Sequence, residues 1–153
     1  MTLKLLYLVH VLATVIWVGG MFFAHQVLRP VAMAELEPPQ RLRLWNGVFR
    51  RFFPWVWTAI LALILTGQAL ALQLGGMAVV GLHVHIMAAV GYLMTAIFAY
   101  IYFKPYAALR RAVAAENWPA AGAAQNHIRP LVATNLSLGL ANIILVFVLP
   151  VLI

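Results

Sequence analysis

Four uninterrupted apolar runs decide what this chain can fold into. They cover about 5–28, 52–74, 77–103 and 131–153 of a 153-residue sequence. A bilayer crossing takes roughly 20 apolar residues, and in lipid a helix satisfies its own backbone polar groups. The expectation is therefore an all-α integral membrane four-helix bundle, one transmembrane domain over 1–153. The runs stop at punctuation that helices respect: Arg29-Pro30, Gly75-Gly76 and Lys104-Pro105. Composition agrees, with 65% hydrophobic and 8% charged residues, against roughly 45–50% and 25% in a soluble domain. That balance excludes a soluble or disordered chain and, despite a net charge of +7, a nucleic-acid binder. The absence of cysteine removes disulfides, thiolate metal sites, covalent c-type haem and cysteine nucleophiles. Lys4, the run behind it and Ala32-Met33-Ala34 imitate a secretory signal. The run is longer than an h-region of about 7–15 residues, so an uncleaved span is expected.

The basic residues set the orientation. Arg29, Arg41, Arg43, Arg50 and Arg51 fall between spans one and two, and Lys104, Arg110, Arg111 and Arg129 between three and four. Only Lys4 lies on the other side. Short loops rich in Lys and Arg stay cytoplasmic, so both termini and the Gly75-Gly76 turn should face the exterior of a bacterial inner membrane. Trp45, Trp55, Trp57, Trp118 and Tyr106 would then lie near the cytoplasmic interface, where such rings anchor helices. Gln40–Phe53 carries apolar residues at helical spacing and reads as an interfacial extension of the second helix. Ala107–Asn117 and Ala120–Ile128 read as short helices. The arginines serve topology and headgroup contact, with a specific anionic ligand as the minor alternative.

Sliding the first span by 75 positions lays Val9, His10, Ala13, Phe23, Ala24 and Pro30 on Val84, His85, Ala88, Phe98, Ala99 and Pro105. Arg29 meets Lys104. The second and fourth spans echo each other at an offset of 76, with Pro54, Val56 and Thr58 on Pro130, Val132 and Thr134. Two parallel-repeat helical hairpins are inferred, related by a pseudo-twofold axis along the membrane normal, an arrangement that places sites at the repeat interface.

An ionisable side chain inside a span marks a functional site by default. His10 and His85 are equivalent under the repeat and lie at matched depth. Two such imidazoles could supply both axial ligands of a b-type haem. An interhelical hydrogen-bonding pair or another metal are the alternatives. Thr14 and Trp17 share the His10 face, and Ala89 and Tyr92 the His85 face, so these six residues form the expected cofactor site. His83 lies roughly 160° around the helix from His85 and serves as solvated residue or fallback ligand. His25 is about 22 Å along the helix from His10; with His127 it offers a less favoured second haem. Asn135, Gly139 and Asn142 form a stripe on the fourth span, and Thr66 and Gln73 share a face of the second. Such residues glue helices together, or hold the second N–H of a ligating His. The six methionines are soft donors suited to copper, although Met87 and Met94 read better as packing residues.

The segment Leu6–Pro30, with His10, Trp17-Val18-Gly19-Gly20 and Arg29-Pro30, resembles the first span of the CopD superfamily, and Thr66-Gly67 resembles the close of its second. That superfamily includes copper-resistance membrane proteins and HemJ-type protoporphyrinogen oxidases. The small HemJ-type members have four spans, bind haem b and carry an essential His matching His10. Their essential third-span Lys falls at or near His85, and their Asn-Glu-x-Pro motif is missing here. The resemblance thus implies haem b or copper as cofactor. The residues favour a bis-histidine haem b protein carrying electrons, with porphyrinogen oxidation or copper binding and transport as alternatives. Expected partners are the lipid bilayer, a quinone or redox protein, and a second copy of the chain.

Overall fold

The computed structural model describes residues 2–152. It is all-α, with helices α1 (Leu3–Glu35), α2 (Pro38–Gln73), α3 (Leu82–Phe103), α4 (Pro105–Ala114) and α5 (Trp118–Leu152). Four of these five (α1, α2, α3 and α5) are long and apolar enough to cross a membrane. Their outer faces expose large apolar side chains such as Phe23, Leu65, Phe147 and Val151. Soluble proteins rarely tolerate apolar patches of this kind, and lipid is their natural cover.

The helices outrun the apolar runs at the basic end. α2 begins at Pro38, fourteen residues before 52, because two prolines suit its first turn and the Glu37 N–H donates to Gln40 Oε1 at 3.3 Å, one half of a capping box. Pro54 and Pro130 lie inside α2 and α5. Each lacks the N–H that would bond the carbonyl four residues back, a loss that membrane helices tolerate; Thr58 and Thr134 donate from Oγ1 to the Pro54 and Pro130 carbonyls themselves at 2.9 Å. Ala120–Ile128 is the first part of α5 rather than a separate helix. The third helix starts at Leu82, not at 77. Gly75 and Gly76 adopt φ of 105° and 93°, and Gly76 N–H reaches the Ala71 carbonyl at 2.8 Å while Gly75 N–H reaches Leu72 at 3.2 Å. This is a Schellman stop, after which residues 77–80 form turns.

α1 packs along α2, and α3 along α5, with α4 folded against α5. α1 contains two π turns, Val15–Gly19 and Phe23–Leu28. Their extra residues per turn keep Ala13, Trp17, Met21 and Ala24 on one buried face, although a spacing of four drifts around a regular α-helix. The two hairpins meet over aromatic rings: Phe53 stacks on Phe49 at 4.8 Å and meets Phe98 edge-on at 5.1 Å, and Trp17 meets Phe98 at 6.4 Å. Trp45 and Tyr106 belong to this core, at 5% and 3% exposure, because the basic half of α2 packs under α4 and turns these rings inward. Trp55 does face outward. The α5 stripe acts as helix glue: Asn135 Nδ2 donates to the Met94 carbonyl at 3.0 Å and Asn142 Nδ2 to that of Met87 at 3.2 Å. Gly139 lies between them, where a Cβ would press on Val18 and Met94.

Candidate functional site

His10 is half-buried on α1 and points at α2. Its Nδ1 lies 2.8 Å from Thr66 Oγ1, and its Cε1 packs 3.5 Å from where Gly67 would carry a Cβ. The hydroxyl is already committed, since Thr66 Oγ1 donates to the Ala62 carbonyl at 2.6 Å. A carbonyl only accepts and a hydroxyl has one proton. With the hydroxyl proton kept on that carbonyl, the contact with His10 takes the Nδ1–H tautomer and Thr66 accepts. The Nε2 lone pair is left free. Metal-ligating histidines are oriented in this way by a partner on the other ring nitrogen. Thr14 shares this neighbourhood, donating from Oγ1 to the His10 carbonyl at 2.9 Å.

The remaining expected site residues are dispersed. His85 is exposed, and its Nδ1 faces the Gly81 carbonyl of its own helix at 3.3 Å. No hydrogen bond or ring contact joins it to His10 among the described residues. Ala89 is exposed. Tyr92 is also exposed, and its hydroxyl accepts from Gln68 Nε2 on α2 at 3.0 Å. Trp17 lies in the aromatic core at 2% exposure, with its Nε1 lacking a protein partner. It lines a cavity of about 20 Å³ together with Asn135 and Phe98. A second cavity of about 30 Å³ lies between α1, α2 and α5. Neither includes His10 or His85 in its lining. Among the described residues, no three His, Asp or Glu side chains gather as a metal cluster.

His10, His83 and His85 nevertheless lie at one end of the bundle. Thr66 opposes His10 two turns before the α2 stop, and His83 and His85 occupy the first turn of α3. His127 is at the other end, where its ring meets Tyr100 at 5.8 Å. The sequence marked Thr66 as a possible holder of an axial histidine but could not assign it to His10.

A family model described as copper resistance protein D matches residues 46–149. The chain belongs to this family. The match takes in Thr66, Gly67, His83, His85 and the asparagine stripe, whereas His10 lies in the stretch before it. With four apolar helices, membership marks a multi-pass membrane protein. No curated protein and no solved structure matches the chain.

Proposed function

We propose that this protein handles copper in the membrane and that His10 ligates the ion through Nε2. The observation that carries the reading is the Thr66 contact, which holds His10 with its free nitrogen available. Imidazole is a good copper donor, and the family model is one of copper resistance. His83 and His85, at the same end of the bundle, are the candidates for further donors. Copper is cargo in this account, taken up or released at the end of the bundle that carries the Gly75-Gly76 turn. The same reading places that end outside a bacterial cytoplasmic membrane, the basic connections inside, and the two hairpins as copies of one unit.

The test is metal content and an absorption spectrum of protein purified from copper-grown cells. Wild type should carry copper and His10→Ala should lose most of it. A haem Soret band in wild type, lost in His10→Ala and His85→Ala alike, would replace copper with the bis-histidine haem reading.

A further inference from the structure

The opposite end of the bundle holds a second polar cleft. On α1, His25 and Arg29 are four residues apart, as are Gln125 and Arg129 on α5. Side chains at this spacing share a helix face. The two faces meet across the cavity of about 30 Å³, with Trp45 and Phe49 of α2 among its walls. His25 Nδ1 and Gln125 Oε1 are both buried without a hydrogen-bond partner. Buried polar atoms without partners are uncommon, and each asks for an explanation.

The charges around the cleft are one-sided. No carboxylate lines it. The chain has three acidic residues; Glu116 pairs with Arg43 at 2.8 Å, and Glu35 and Glu37 make no ion pair among the described residues. Among the described residues neither Arg29 nor Arg129 has a hydrogen bond or ion pair. Two guanidinium groups drawn to one cleft repel each other unless an anion lies between them.

We propose that this cleft binds a phosphate group. Arg29 and Arg129 offer planar N–H forks that match phosphate oxygens. His25 donates through Nδ1–H, and Gln125 offers its Nε2 hydrogens after a half-turn of the amide. The two guanidinium groups, His25 Nδ1–H and the turned Gln125 amide N–H then all donate to one ligand. Basic pockets between membrane helices hold phospholipid headgroups, and free phosphate presents the same chemistry. The cleft is at the other end of α1 from His10, so the inference stands independently of the copper reading.

Native mass spectrometry of the full chain, released from a mild detergent, separates the sources. A headgroup ligand predicts a retained phospholipid adduct in wild type. A free anion predicts no adduct, but stabilisation of delipidated protein by inorganic phosphate over chloride at equal ionic strength. In either case Arg29→Gln and Arg129→Gln should weaken the effect roughly tenfold or more, with Arg129→Lys intermediate and Arg51→Gln, outside the cleft, near wild type. If a glutamine variant does not fold, the lysine variant and His25→Ala carry the comparison. Absence of both effects, or equal loss in Arg51→Gln, overturns the proposal.

Discussion

Replacing Thr66 by valine keeps the size of a side chain that is only 5% exposed and removes the one acceptor facing His10 Nδ1. The ligand-ready tautomer then leaves a buried N–H without a partner, at a cost of about 1–3 kcal/mol. The other tautomer escapes that cost by moving the proton to Nε2, the nitrogen meant for the metal. Tenfold in affinity is about 1.4 kcal/mol, so Thr66→Val should weaken Cu(I) binding by roughly 10–100-fold, the range found for removing the partner of a ligating histidine. Thr66→Ser keeps the acceptor and should stay close to wild type. Competition titration of purified protein against a Cu(I) chelator measures this directly. Unchanged affinity in Thr66→Val, with copper still lost in His10→Ala, would refute the orienting role of the hydroxyl.

Other substitutions test the packing. A Cβ on Gly20 would fall on the Phe52 ring, whereas Gly19 has nothing within 4 Å of the same position. Gly20→Ala should therefore destabilise by about 1–3 kcal/mol, and Gly19→Ala should leave stability equal or slightly raised, both read from unfolding in detergent. Asn135→Leu removes the bond to the Met94 carbonyl and should cost about 0.6–1.7 kcal/mol, the span of interhelical hydrogen bonds in membranes, by the same measurement. Arg43→Ala breaks an ion pair whose side chains are 56% and 67% exposed; its stability change should stay below about 1 kcal/mol, although it also removes a guanidinium 4.9 Å from the Trp118 ring.

Apolar runs and their punctuation made the helices readable, because length and hydropathy are one-dimensional properties. Gly75-Gly76 was readable as a turn for the same reason, and Asn135 and Asn142 as glue because they recur on one face of an apolar helix. His10 stood out as an imidazole in an apolar span. Its partner was harder. The 75-residue offset in the sequence pairs His10 with His85 but says nothing about how each helix is rotated. Rotation is set by packing: α1 lies along α2, π turns at Val15–Gly19 and Phe23–Leu28 adjust its phase, and His10 turns to Thr66 while His85 stays exposed. Trp45 and Tyr106 show the same limit, since an aromatic near a basic loop fits a lipid anchor or a core ring until its neighbours are known. The phosphate cleft did leave a trace, the paired spacings His25/Arg29 and Gln125/Arg129, but only the fold brings the two pairs together.

The account depends most on which nitrogen of His10 carries the proton and which one meets the metal. Nitrogen NMR of imidazole-labelled protein, with His10 assigned by its loss in His10→Ala, reports both. The expected result is a neutral ring protonated at Nδ1, whose Nε2 resonance moves when Cu(I) is added. A ring protonated at Nε2, or one indifferent to Cu(I), would contradict it.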